Sequence, residues 1–258
     1  MEIRFENNRK SAHEKGIKMH RNVNNLIGYT IIAKDGELGK VDEFFFDDLT
    51  WSIRYLVVKT GHWLFERKVL IPHTALGTTD WKSKTFRVNL FMEQVSSSPD
   101  IDAEKTVSRQ HEEKLLNYYK FPIYWGDTFY GQPLGNTPDL PLTGENKLKD
   151  GDDPHLRSTK KVTGYHIHAK DGLIGHVEDF IVDDKNWNVC FLIVNTHTWL
   201  PGRKVLILPR WIIRIDWAES IVYMNLSKTS IEKSPDFDFS NPIGRDYENI
   251  LLKHYGDI

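Results

Sequence analysis

One stretch of this sequence occurs twice at a constant offset of 136 positions. Gly28-Tyr29, Lys34-Asp35-Gly36, Trp51 and Arg67-Lys68-Val69-Leu70-Ile71 return as Gly164-Tyr165, Lys170-Asp171-Gly172, Trp187 and Arg203-Lys204-Val205-Leu206-Ile207. The same order of turn glycines, aromatics and aliphatic runs means two copies of one folding unit. Copies made from a chain of 258 residues are small domains, each burying only about 60% of the surface its unfolded chain exposes. The two are expected to lean on each other.

Within the first copy, Gly28-Tyr29-Thr30-Ile31-Ile32 reads as a strand, and Lys34-Asp35-Gly36 as a hairpin turn in which glycine takes positive φ without penalty. The next strand runs from Glu37 to Asp47, and its apolar parity slips between Val41 and Phe44. One extra residue at Asp42-Glu43 in a β-bulge restores the register. The second copy has the same slip at Glu178-Asp179. Asp47-Asp48-Leu49-Thr50-Trp51 reads as a turn, and Ile53 to Val58 as a strand apolar on both faces beyond Arg54, which must be covered twice. Lys68 to Pro72 and Thr85 to Leu90 add further strands. Short strands punctuated by turn signals predict a partly closed all-β barrel.

Val107, His111, Leu115 and Tyr119 recur every four residues and predict an amphipathic helix from Ala103 to Tyr119. Ile243, Tyr247, Leu251 and Tyr255 repeat the pattern behind an Asn241-Pro242 start signal. The expected fold class is therefore mainly β: two tandem small β-barrels, each followed by an amphipathic helix. The expected division is a flexible basic arm over 1–22, a first barrel plus helix over 23–119, a Pro/Gly-rich linker over 120–158 and a second barrel plus helix over 159–258. Phe121-Pro122-Ile123-Tyr124-Trp125 carries too much aromatic surface to stay in water and is expected to pack on a barrel, whereas Lys147 to Pro154 is expected to be mobile.

Composition narrows the function classes. A formal net charge of −2 offers no global pull toward nucleic acid or an anionic membrane. The single cysteine, Cys190, excludes an intramolecular disulfide framework and fits a reducing compartment. No apolar run reaches the roughly 18 residues that span a bilayer, and the first 25 residues lack the apolar core of a signal peptide. A cytoplasmic location is the expectation.

The series Gly28, Lys34-Asp35-Gly36, Gly39, Val41, Asp47, Trp51, Tyr55-Leu56-Val57-Val58, Trp63-Leu64 and Arg67-Lys68-Val69-Leu70-Ile71-Pro72 resembles the PRC-barrel domain, as does its copy at Gly164 to Leu208. Ser98-Pro99-Asp100, Arg109, Glu112, Leu116, Tyr118-Tyr119, Pro122 and Tyr124-Trp125 are similar to the tails of bacterial tandem PRC-barrel proteins. The resemblance implies a small barrel of the kind found in the H subunit of the photosynthetic reaction centre, in a ribosome maturation factor and in stand-alone proteins. It implies docking onto a larger assembly and carries no shared catalytic residues or cofactor. Relative to these, the sequence shows no counterpart of the H subunit's membrane helix or of the ribosome factor's separate N-terminal domain, and a direct photosynthetic role is not the expectation.

Trp63-Leu64 with Arg67-Lys68, and Trp199-Leu200 with Arg203-Lys204, combine an aromatic anchor with paired cations and are the candidate partner-binding residues. Asp47-Asp48 and Asp183-Asp184 read as turn-forming aspartates and not as metal ligands, since a Ca²⁺ loop needs several more oxygens at short spacing. His166 and His168 share a strand face without the further ligands a metal needs, and Cys190 among aliphatic neighbours reads as a buried, inert thiol. No catalytic, cofactor or metal site is expected. The leading expectation is a non-catalytic adaptor that docks onto a protein assembly, with a homodimer as one arrangement. RNA or ribosome association through the basic arm and the Arg67-Lys68 and Arg203-Lys204 pairs is the alternative, and a reaction-centre-related or small-ligand-binding role is a third.

Overall fold

In a computed structural model, which describes residues 20–99, 107–124, 154–196, 203–237 and 245–256, the chain forms two sheets of identical strand order. The first module holds β2 (Thr30–Ile32), β3 (Glu37–Asp47), β4 (Ser52–Thr60), β5 (Lys68–Pro72), β6 (Leu76–Asp80) and β7 (Thr85–Val88) in the order β5-β4-β3-β2-β7-β6. The second holds β10 (His166–Ala169), β11 (Gly172–Asp183), β12 (Val189–Asn195), β13 (Lys204–Ile207), β14 (Ile212–Asp216) and β15 (Ile221–Met224) in the order β13-β12-β11-β10-β15-β14. The mainly β fold of two tandem modules is as expected, and the paths are open, so the sheets are not closed barrels. Among the described residues no ladder joins β5 to β6 or β13 to β14, because each pair sits at opposite ends of its path, joined only by the 3₁₀ turns His73–Ala75 and Pro209–Trp211.

The bulge read from parity is present in both copies. The β3–β4 register shifts between Val41 and Glu43, and the β11–β12 register between Val177 and Asp179. The hairpin aspartates have a further use. Asp35 Oδ1 accepts from Met92 N at 2.9 Å and Asp171 Oδ1 from Lys228 N at 2.8 Å. Each thereby satisfies an unpaired amide at the start of a short helix, α1 (Met92–Ser96) and α4 (Lys228–Glu232).

The longer helices are α2 (Arg109–Tyr119) and α5 (Arg245–Tyr255); a single turn, α3 (Thr159–Val162), opens the second module. α2 buries Glu112, Leu115, Leu116 and Tyr119, while His111 is exposed. The buried face is thus rotated from the expected one, because it is centred on a carboxylate that hydropathy counts as polar. In α5, Leu251 and Tyr255 are buried as the pattern predicts; Ile243 lies outside the described residues. Phe121, Ile123 and Tyr124 pack against the core as expected, and Trp125 lies outside the described residues.

The expected boundaries need correction at both modules. His20–Asn22, placed by sequence in the arm, is strand β1; Pro154–Ser158, placed in the linker, is strand β9. Residues 1–19 and 125–153, which carry the rest of both expectations, lie outside the described residues. β1 pairs antiparallel with β11 of the second sheet, and β9 pairs antiparallel with β3 of the first and with β8 (Val107–Ser108). Each module's leading strand therefore lies in the other module's sheet. The exchange is symmetric to the residue: His20, Arg21 and Asn22 face Asp183, Val182 and Ile181, and Leu156, Arg157 and Ser158 face Asp47, Phe46 and Phe45.

The turns after β3 and β11 complete the joint. Ile53 N donates to Trp187 O at 2.8 Å and Val189 N to Trp51 O at 2.7 Å, with Ser52 Oγ 2.7 Å from Asn188 Oδ1 between them. Phe44 stacks on Trp187 at 5.9 Å, and Phe46 meets Phe180 at 5.6 Å. One apolar cluster consequently runs through both modules. Two small cores that are marginal alone are merged into one.

Candidate functional site

The loop from β4 to β5 carries the first predicted anchor. A 3₁₀ turn, His62–Leu64, half-buries Trp63 against the core, and its indole Nε1 donates to Leu38 O at 2.8 Å. Phe65 and Glu66 follow with φ of 51° and 57°, in the left-handed region. That turn throws Phe65 outward, leaving it 94% exposed. Trp63 is thus the root of the loop, and Phe65, which the sequence reading passed over, is its tip. Trp199 lies outside the described residues.

Arg67 and Arg203 make the same contacts in the two copies. Arg67 donates to Ser96 O at 3.2 Å and to Ser98 O at 2.9 Å, and Arg203 donates to Glu232 O and Ser234 O. These carbonyls sit at the ends of α1 and α4, where the last turn leaves acceptors unsatisfied. Lys68 Nζ lies 3.1 Å from Asp42 Oδ2, and Lys204 pairs with Glu178, so each lysine holds the extra residue of a bulge. The four cations tie each module to itself. Asp47 Oδ1 accepts from Leu49 N and Thr50 N, and Asp183 Oδ1 from Lys185 N and Asn186 N, which makes them turn-forming residues.

The next residues pair across the joint. Arg157 bonds Asp48 at 2.7 Å while lying 4.0 Å over Trp217; Arg21 bonds Asp184 at 3.1 Å while lying 4.0 Å over Trp81. Each guanidinium is an ionic partner to one module and a cation–π partner to the other.

Beneath the exchanged strands lie two carboxyls, Glu43 and Asp179, each 5% exposed. Glu43 accepts from Ser158 Oγ, and Asp179 Oδ1 from Asn24 N at 3.1 Å and Phe180 N at 2.7 Å. Burial raises the pKa of both, that of Asp179 to about 6, against the opposing effect of those hydrogen bonds. In the unfolded chain Asp179 ionises near its ordinary 3.8. Its contribution to stability is therefore fully present below that value and is lost as pH rises through about 6. Asp179→Asn keeps an acceptor oxygen without the charge. Relative to the parent it should be equally stable at pH 4 and more stable at pH 7.5 by about 1–2 kcal/mol. Chemical denaturation of both proteins across that range checks this, and an unchanged difference between the two pH values would refute it.

A buried polar group absent from the sequence reading lies between α2, β4 and β9. Glu112, fully buried, accepts from the Tyr55 hydroxyl at 2.9 Å and meets His155 Nε2 at 2.7 Å; Tyr55 and His155 are 1% and 2% exposed. Burial, with the Glu112 charge added, pushes the Tyr55 hydroxyl well above its usual range. The second module keeps Glu248 at the equivalent of Glu112 but has Phe191 for Tyr55 and Met19 for His155, so the three-residue cluster belongs to one copy alone.

His166 and His168 do share the outer face of β10, and the His168 ring meets Tyr223 at 5.6 Å. Cys190 is half-buried on the outer face of β12, its Sγ 3.6 Å from Asn188 O, which corrects the expectation of a buried thiol. Strand alternation places Val189 and Phe191 inward and Cys190 outward. Among the described residues no three His, Cys, Asp or Glu side chains are grouped to hold a metal ion.

Residues 20–92 match the PRC-barrel domain. The match begins at β1, the strand given to the second module, and ends at the start of α1. No curated protein matches the chain.

Proposed function

We propose that the chain is a non-catalytic docking protein in which two PRC-like modules, locked by their exchanged strands, form one rigid platform for a larger protein assembly. The observation that carries this reading is Phe65, a nearly fully exposed ring on a loop whose root, Trp63, is bonded into the sheet. A rigidly presented aromatic loses little conformational freedom on binding, which is why such residues dominate interfaces. The equivalent loop of the other module keeps Trp199-Leu200 but has Pro201 in place of Phe65, so the exposed ring is a feature of the first module. No helix among the described residues is long and apolar enough to cross a membrane. The single cysteine fits a reducing cytoplasm within this reading.

Phe65→Ser should reduce partner capture in a cross-linking pull-down from the native cell by about tenfold or more, with an unchanged melting temperature. Identical partners at identical yield would remove Phe65 from the interface. Capture that vanishes with ribonuclease and falls steeply between about 50 and 200 mM salt would replace this reading with RNA association.

A further inference from the structure

At the joint between the modules, β9, α3 and the β14–β15 turn line a half-open cavity of about 360 Å³ walled by Phe45, Arg157, Lys161, Tyr165, Trp217 and Ala218 among others. That volume lies within the range of small-molecule sites, about 300–1,000 Å³. Both charged side chains on its wall, Arg157 and Lys161, are cationic. Its aromatic wall is formed by Tyr165 and Trp217, both half-buried, with ring centroids 6.2 Å apart.

The pseudo-twofold supplies a built-in comparison. At the equivalent place in the first module, Phe86 lies 5.1 Å from Tyr29 and 6.0 Å from Trp81, adding a third ring to that cluster. The second module has Val222 in place of Phe86, Ala218 in place of Lys82 and Lys161 in place of Asn25. The Tyr–Trp pair and the guanidinium over the indole are kept in both copies. The second joint thus lacks the third ring and carries its lysine on α3, where the first carries it on the β6–β7 turn.

We infer that this cavity is a binding site for a small ligand that joins a flat aromatic ring to an anionic group, carboxylate or phosphate. The ring lies against Tyr165 and Trp217, and the anion faces Lys161 and Arg157. Arg157 is already fixed by Asp48 and Trp217, so its guanidinium is held in place before the ligand arrives. The site is independent of the docking loop, which belongs to the first module.

The test is equilibrium dialysis of the full chain with benzoate, adenosine 5′-monophosphate and inorganic phosphate, together with tryptophan fluorescence. At least one aromatic anion is expected to bind below about 1 mM, with phosphate alone about tenfold weaker or worse. Binding by benzoate assigns a carboxylate ligand, and binding by the nucleotide a phosphate ligand. Lys161→Asn, which installs the first module's residue, should weaken binding about tenfold, and Ala218→Phe, on the cavity wall, should fill the space and abolish it. Lys161→Asn alone decides if Ala218→Phe fails to fold. The inference is overturned if neither aromatic anion binds below about 10 mM, if phosphate binds as well as they do, or if either folded variant binds like the parent.

Discussion

Gly175→Ala is expected to lower the melting temperature of the full chain by about 10 °C, and Gly39→Ala by a similar amount. The two glycines occupy equivalent points in β11 and β3, with φ of 157° and 147°. A Cβ at Gly175 would stand 1.9 Å from Asn195 O, and one at Gly39 would stand 2.1 Å from Lys59 O. Both obstacles are backbone atoms of the neighbouring strand, so no side chain can swing aside to relieve the overlap. A non-glycine residue at such a φ costs about 1–3 kcal/mol, and overpacking of this kind about as much again. A total of about 3–5 kcal/mol is a large share of the stability of an ordinary domain. Gly61→Ala is the control: its Cβ would meet Trp63 Cδ1 at an ordinary 3.6 Å, and it should be neutral within about 0.5 kcal/mol. A melting temperature for Gly175→Ala equal to that of Gly61→Ala would mean that β11 and β12 do not approach as closely as described.

These glycines also show what the sequence discloses. Local rules were sufficient wherever a residue's reason lay within a few positions of it. The parity slip at Glu43 and Asp179 announced both bulges, the Lys-Asp-Gly triplets announced the hairpins, and β3 and β5 fell on their expected residues. Reasoning failed where the reason lay far along the chain. Arg67 reaches carbonyls 29 and 31 residues away, and nothing in Trp63-Leu64-Phe65-Glu66-Arg67 distinguishes a helix-capping guanidinium from a surface one. β1 and β9 are too short and too polar to carry a strand signature, and their strand character comes entirely from the partner sheet. The equivalence of Arg21 with Arg157 and of Asp48 with Asp184 was present in the sequence as a repeat extending upstream of Gly28. That signal alone pointed to structure in the supposed arm and linker.

Glu112→Ala is expected to destabilise the full chain by about 3–5 kcal/mol, the cost of stranding buried polar partners. It would leave the Tyr55 hydroxyl and His155 Nε2 without the carboxylate that both contact, in a place where burial leaves little access for water. Glu112→Gln should cost less, because the amide keeps an acceptor for Tyr55 and offers a donor toward His155 once the imidazole proton moves to Nδ1. Tyr55→Phe should cost only about 1–2 kcal/mol, since Phe191 already occupies the equivalent position in the second module and the smaller group fits the fold. If the three side chains act as one unit, Glu112→Ala and Tyr55→Phe will combine with a total cost smaller than their sum, since the hydroxyl stranded by the first substitution is absent in the double variant. The loss should also be local in its onset. His155 belongs to β9, the strand leading into the second module, whereas Glu112 belongs to the helix that closes the first. Amide exchange at residues 155–158 should therefore accelerate in Glu112→Ala before that of β4, as the exchanged strand loses the buried contact of His155 with α2. Strict additivity of the two substitutions, or uniform acceleration across the sheet, would reduce Glu112 from a clasp between the modules to a residue of the first module alone.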